Sequence, residues 1–279
     1  MSETSNIQKD YYNKARAKRF EWLLNKPSAL VGTNLYMEFH MPNRIIFEKI
    51  STFCKHDFST LRILDLGCGE GQNACYLASL GAKMTAIDIS EMNINITRLR
   101  AERNSLSNKM KIEVASCTDT GLPACSFDVI VGYGLIHHLT MDEELLLYKE
   151  VARLLNPSGF AVFSEFLNNS PFLEFLRTLV PIRGKSDPRP SRLSKDWDYY
   201  IANDVHPIRV NTTKHYREVF EQFKFKSVKL EELGVLTRLD RLTANKNFKR
   251  RIHDFDYKIF PMIPFHSKLA RSIIVTLYK

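Results

Sequence analysis

Leu61-Arg62-Ile63-Leu64-Asp65-Leu66-Gly67-Cys68-Gly69-Glu70-Gly71, continued by Gln72-Asn73-Ala74-Cys75-Tyr76-Leu77-Ala78, is the stretch whose reading decides the fold. A leucine-rich, β-branched run ends in three glycines at alternate positions and passes into an alanine-bearing helical pattern. That is the strand, tight loop and helix order of a nucleotide-binding βα unit. Glycine lets the backbone approach a ligand closely, and the helix that follows points its start at the same place. A second apolar run, Lys83-Met84-Thr85-Ala86-Ile87-Asp88-Ile89-Ser90, ends in Asp88 about 20 residues on, where such folds set an acid on ribose hydroxyls.

Downstream the same alternation continues. Ser90 is placed to cap a helix through Arg98 and Arg103, and Met110 to Ala115 alternates as a half-covered strand. Phe127 to Tyr133 is continuously apolar, as a central strand would be. Thr140-Met141-Asp142-Glu143 is a capping box before a helix that stops at the turn Asn156-Pro157-Ser158-Gly159. A fifth strand follows over 159–166, a helix capped by Thr212 or Thr213, a sixth strand near 225–230 and a last strand from Ser272 to Tyr278. Strands alternating with helices predict an α/β fold on a mostly parallel sheet. Upstream, 10–24 reads as a basic amphipathic helix with Tyr12, Phe20, Leu23 and Leu24 near one side, and 42–53 as a helix packed on the sheet.

Two stretches break the alternation, 167–211 with five prolines and the cations Arg183, Lys185, Arg189 and Arg192, and 233–270 with Lys246, Lys249, Arg250 and Arg251 among aromatic residues. Insertions of this length often serve as lids or binding loops, so both are read as a substrate cap. One domain is expected, with a core over about 40–166, 212–232 and 271–279, a lid helix over about 8–25 and the cap over about 167–211 and 233–270. The chain has 279 residues, 44% of them hydrophobic, ample for one core. Its formal charge of +9 suits an anionic substrate, a nucleic acid or an acidic membrane surface, or simply a solvated basic exterior. Five scattered cysteines without a Cys-x-x-Cys pair indicate neither a disulfide framework nor a zinc site, and fit a reducing cytoplasm. No signal peptide or membrane span is read, and no metal site.

Leu64 to Gly71, Asp88, Leu122-Pro123 with Ser126-Phe127-Asp128-Val129-Ile130, Ile136-His137-His138-Leu139 and Leu155-Asn156-Pro157-Ser158-Gly159 together resemble the class I S-adenosylmethionine-dependent methyltransferases, in the branch similar to the ubiquinone/menaquinone biosynthesis and small-molecule enzymes. The resemblance covers about half of the chain. It implies a three-layer, Rossmann-like, seven-stranded sheet whose last strand is antiparallel. It implies that Asp65 and the backbone of Gly67, Cys68, Gly69 and Gly71 hold the methionine part of S-adenosylmethionine, that Asp88 and Ile89 meet the ribose, and that Tyr133 lies at the cofactor. The acid that usually meets the adenine amine is displaced: Thr118 stands at its aligned position with Asp119 beside it, so either Asp119 or Thr118 with Cys117 takes that contact. The product would be S-adenosylhomocysteine.

Methyl transfer from a sulfonium is an in-line displacement, and a base is needed only when the nucleophile arrives protonated. His137 and His138, just past the fourth strand, sit at the sheet edge where open α/β folds bind ligands, and either could take that proton or merely bond the backbone. Glu165 is a second base, an orienting group or a solvated carboxylate. Tyr11 and Tyr12 close over the cofactor or pack the helix, and His206 reaches the acceptor or makes a turn. The leading expectation is an enzyme methylating a small or medium-sized organic acceptor at oxygen, carbon or nitrogen. An RNA methyltransferase lacks an amino-adenine motif or an appended RNA-binding signature here, and stable nucleic-acid binding is not expected. A cofactor-binding protein without turnover is the non-enzymatic rival. A nicotinamide dehydrogenase is disfavoured, because Gly-x-Gly-x-Gly preceded by Asp65 differs from Gly-x-Gly-x-x-Gly.

Overall fold

Leucine, isoleucine and valine fill the central strands on both faces, so the sheet they form must be covered twice. The computed structural model describes residues 2–30, 41–168, 211–234, 245–259, 262 and 269–279. Its strands are β1 (Arg62–Leu66), β2 (Lys83–Asp88), β3 (Met110–Val114), β4 (Phe127–Tyr133), β5 (Leu155–Phe166), β6 (Ser227–Leu233) and β7 (Ser272–Tyr278), in the order β3-β2-β1-β4-β5-β7-β6. All neighbours are parallel except that β7 runs antiparallel between β5 and β6. The strand order turns back between β1 and β4, the switch point beyond whose carboxyl ends open α/β sheets bind ligands.

The α-helices among the described residues are α1 (Glu3–Asn25), α2 (Met41–Phe53), α3 (Gln72–Ser79), α4 (Glu91–Arg103), α5 (Met141–Leu154), α6 (Thr213–Phe220) and α7 (Lys246–Ile259). Alternate strand residues point to opposite faces. Ile63, Val129, Val131 and Val162 bury against α2 and α3 on one face. Leu64, Ile130, Ala161 and Phe163 bury against α5 and α6 on the other. This three-layer α/β arrangement matches the expected architecture, including the antiparallel last strand. Ser90 caps α4 by accepting from the Asn93 N–H, and Thr140 and Glu143 form the expected capping box on α5. Among the described residues no helix is long and apolar enough to cross a membrane.

Three local expectations are corrected. The first helix starts at Glu3, seven residues earlier than read, because Ser2 caps it through the Ser5 N–H. Its apolar side is thinner than the pattern suggested: Leu23 is buried but Leu24 is exposed, and the other buried positions are the polar Ser5 and Gln8. The turn at Asn156 to Gly159 is instead part of β5, which begins at Leu155 directly after α5. Leu155 pairs with Phe127, and a register shift between Phe127 and Val129 takes up the extra residues. The cap segments lie mostly outside the described residues; within the second, α7 is a regular helix.

Close packing across the sheet makes one position testable. A Cβ on Gly132 in β4 would stand 2.6 Å from the Phe163 ring in β5. Gly132→Ala is therefore expected to lower stability by about 1–3 kcal/mol, read by urea unfolding. No measurable loss would mean that Phe163 moves aside freely.

Candidate functional site

The site is built where β1, β2, β4 and β5 end. Gly67, Gly69 and Gly71 all have left-handed backbone, with φ of 68°, 55° and 71°. At Gly71 a side chain is excluded twice, because a Cβ there would also lie 2.4 Å from Thr97. At Gly69 a Cβ would meet nothing within 4 Å, so this part of the loop turns its backbone towards open space. Asp88 braces the loop. One of its oxygens accepts the Gly69 N–H at 2.9 Å, and the other accepts the Ser90 N–H at 2.8 Å and the Asn93 amide at 3.2 Å. The Thr97 hydroxyl donates to the Gly69 carbonyl at 2.9 Å, and Arg100 donates to the Glu70 carbonyl at 2.8 Å. Burial raises the Asp88 carboxyl, and these hydrogen bonds pull it back down.

Asp65, at the foot of the loop, is the reverse case. It is 1% exposed, and neither of its oxygens has a hydrogen-bond partner among the described residues. Burial, reinforced by the charge of Asp88, raises it from 3.8 to about 8. The Tyr133 hydroxyl is likewise buried without a partner there, and burial with the charge of Asp65 pushes it well up. A buried carboxylate and phenol left in this state call for a ligand that brings a cation and hydrogen-bonding groups. The α-ammonium of S-adenosylmethionine matches the carboxylate, and the unencumbered backbone at Gly69 suits the close approach of a ligand that carries no phosphate, so the residues present fit that cofactor.

A second group lies beside the first on the same edge. A Cβ at Gly67 would meet Leu135 at 2.8 Å, and Leu135 leads into the 3-10 turn Ile136–His138. Glu165, 2% exposed at the end of β5, accepts the Ile136 N–H at 2.6 Å and faces His137 Nδ1 at 2.9 Å. His137 and His138 stack with ring centres 4.0 Å apart, and Phe166 borders His137 at 5.7 Å. Tyr12 from α1 sets its hydroxyl 3.4 Å from His138 Nε2. The structure thus brings together Tyr12, His137, His138 and Glu165, and beside them Asp65, the glycine loop with Cys68, Asp88 and Tyr133. The half-buried Ile89 follows Asp88 directly. Of the residues expected at the adenine, Cys117 is within electrostatic reach of Asp88 and the Thr118 hydroxyl pairs with Ser116 at 2.8 Å, while Asp119 is exposed and within electrostatic reach of Arg153. His206 and the arginines of the first cap segment lie outside the described residues.

The sequence reading missed the underside of α1. Ser2 and Ser5 donate to Glu143, Gln8 donates to the His138 carbonyl at 2.5 Å, and Asn13 accepts from Ser90 and from the Met92 N–H. Arg16 and Arg19 pair with Glu70. The helix therefore bridges the α5 cap, the histidine turn, the start of α4 and the glycine loop. Polar residues in no apolar period give no signal of such contacts; only the cap spacing Ser2-x-x-Ser5 was there to be read. Also missed was fully buried Glu144, which accepts the Tyr148 hydroxyl at 2.8 Å and meets His215 of α6 at 2.9 Å.

Comparison with known proteins agrees with this geometry. Residues 63–159 match a family model described as a methyltransferase domain. A ubiquinone biosynthesis O-methyltransferase of Cereibacter sphaeroides is 35% identical over 150 residues, 53% of this chain and 57% of that protein. The 27-O-demethylrifamycin SV methyltransferase of Amycolatopsis mediterranei is 32% identical over 107 residues, 38% of this chain and 39% of that protein. The chain thus spans about half the length of the curated relatives it matches. In fold it is similar to an S-adenosylmethionine-dependent methyltransferase from Archaeoglobus fulgidus, with a TM-score of 0.53 at 15% identity over 87% of this chain and 97% of that one. It is also similar to the Haemonchus contortus phosphoethanolamine N-methyltransferase 2 in complex with S-adenosylmethionine, with a TM-score of 0.55 at 14% identity over 84% of this chain and 52% of that one. The fold, the glycine loop and these matches converge on the same stretch: residues 63–159 of the chain match a methyltransferase domain.

Proposed function

We propose that the protein is an S-adenosylmethionine-dependent methyltransferase that modifies a small or medium-sized organic acceptor. The observation that carries the reading is Asp65, a buried carboxylate without a partner among the described residues, set under a glycine loop whose Gly69 backbone is open to a ligand. In this reading Asp65 takes the cofactor's ammonium, Tyr133 adds a hydroxyl beside it, and the loop backbone from Gly67 to Gly71 lines the methionine part. Asp88 keeps one lone pair for the ribose, on the oxygen that accepts the Gly69 N–H, while the other three hold the loop and the start of α4. Ile89 lines the same edge, and Cys117 with Thr118 is better placed for the base than exposed Asp119. When bound, the cofactor supplies an electrophilic methyl group.

The acceptor atom is oxygen, carbon or nitrogen, and the His137–Glu165 pair favours one that arrives protonated, as a hydroxyl does. Glu165 fixes the ring by accepting a hydrogen bond from Nδ1–H, which leaves the basic lone pair on Nε2. His137 then removes the acceptor proton as the methyl moves, and buried Glu165 stabilises the imidazolium. His138, held by Gln8 and Tyr12, orders the other side of the turn. The lid α1, the core and the cap form one domain, and the arginines of the first cap segment suit an anionic acceptor. Five free cysteines fit work in a reducing cytoplasm.

Two experiments test this reading. With its folded-state value raised to about 8, Asp65 holds a proton more tightly folded than unfolded. It therefore lowers the stability of the ligand-free protein as pH climbs from about 4 to about 8. Asp65→Asn removes that slope. At pH 7, calorimetry in two buffers should show a proton released as S-adenosylmethionine binds, and Asp65→Asn should abolish the release and weaken binding about ten- to hundred-fold. No saturable binding of the cofactor or of S-adenosylhomocysteine would sink the proposal. With a panel of small phenols as acceptors, His137→Ala should lower turnover about 10²–10⁴-fold while cofactor affinity stays the same. Equal turnover would remove His137 from the chemistry, and S-adenosylhomocysteine release on RNA but on none of the small acceptors would move the substrate class to nucleic acid.

A further inference from the structure

The helix α7 is amphipathic the wrong way round for a helix buried against its own protein. Asn245 starts it by accepting the Asn247 and Phe248 N–H groups at 3.0 and 3.1 Å. It is seated through polar side chains: Asp254 pairs with Arg44 of α2 at 2.6 Å, and His253 and Asp256 are buried. Tyr257 lines a cavity with Ile45 and Lys49 of α2, but the two phenylalanines face away, with Phe248 52% and Phe255 54% exposed. Seven residues apart, they share one side of the helix. Each is followed three residues later by a cation, Arg251 or Lys258, and Arg250 is exposed as well. Asp254 is only half-exposed and Asp256 is buried, so no acid stands among the exposed residues of α7.

Soluble helices normally turn the apolar side inward, and an outward apolar stripe edged by charge marks a contact surface. Phenylalanine with lysine and arginine on one helix is the composition that lies in the interface of an anionic bilayer, rings among the acyl chains and cations at the headgroups. The net charge of +9 is complementary to such a surface. Position fits too. Arg44 is in the first turn of α2, and its neighbour Asn43 donates to Asn73 at the start of α3, so α7 lies on the same side of the molecule as the glycine loop.

We propose that α7 docks this protein on anionic membranes as a peripheral, in-plane helix, through Phe248, Phe255, Arg251 and Lys258. The docking is separate from the methyltransferase chemistry and does not depend on it. The test is co-sedimentation of the full chain with vesicles of phosphatidylcholine alone or containing about one-third phosphatidylglycerol, an anionic headgroup. Binding is expected only to the anionic vesicles and to weaken as salt is added. Phe248→Ser with Phe255→Ser should lower the partition coefficient at least about ten-fold. Arg251→Gln with Lys258→Gln should lower it about thirty-fold. Thermal melting of both double variants should match the parent, since neither pair is buried. The proposal is overturned if the protein ignores anionic vesicles, if it binds neutral ones equally, or if both folded double variants bind as the parent does. It is also overturned if the same substitutions abolish binding to a single-stranded RNA while leaving vesicle binding intact, which would make α7 a nucleic-acid surface.

Discussion

Asp88 is the interaction on which the site depends. Its carboxylate collects two backbone N–H groups and one side-chain amide, from the glycine loop after β1 and from the start of α4 after β2. Two adjacent strands thereby hold their loops in fixed relation. Gly69 cannot present its backbone outward unless something grips it from behind, and Asp88 with Thr97 does so. Asp65 is left needing a proton or a cation mainly because it is buried, and the acid Asp88 nearby adds to that need. Asp88 thus sets the loop geometry and sharpens the charge demand beneath it.

Satisfied and unsatisfied carboxylates divide the molecule into scaffold and site. Glu143 caps α5 and receives two serines of α1; Glu144 is closed by Tyr148 and His215; Glu150 accepts from Thr120 and Arg153 and is held down at about 2. These have their partners and hold helices in place. Glu165 is different, since one oxygen is spent on the backbone of the histidine turn and the other on an imidazole that itself lies at the sheet edge. Asp65 has no such partner among the described residues. The order from fully satisfied to unsatisfied runs from the helix packing to the ligand.

What was legible in the sequence was local. Glycines after an apolar run, an acid closing the next run, Ser90 before a helix and Thr140 with Glu143 three residues on all act over a few residues, and each is realised. The resemblance supplied the count of seven strands and the antiparallel β7, which no local pattern contains, while the strand order came only with the structure. Contacts between distant polar residues were not legible. Glu144 and His215 are 71 positions apart, and Gln8 reaches a carbonyl 130 positions away. Their partners are set by the finished fold and leave no periodicity behind. The break before β5 was misread for a different reason: Asn-Pro-Ser-Gly has turn composition, and it forms an irregularity within β5 between Leu155 and Phe160, which pair with β4 on either side of it. The first cap segment, 167–211, rests on proline and charge content alone.

The two halves of α1 are held by different physics. Leu23, with Phe20, joins Leu30, Ile96 and Leu99 in a small apolar cluster against α4. The first half is held by Ser2, Ser5, Gln8, Tyr12 and Asn13, all through hydrogen bonds. Water can replace those bonds at a net loss of about 1 kcal/mol each, whereas it cannot replace the cluster. The helix therefore has a firm root and a more readily exchanged first half. That half can lift from the histidine turn in a local opening while the root stays fixed, so ligand exchange requires no loosening of the sheet.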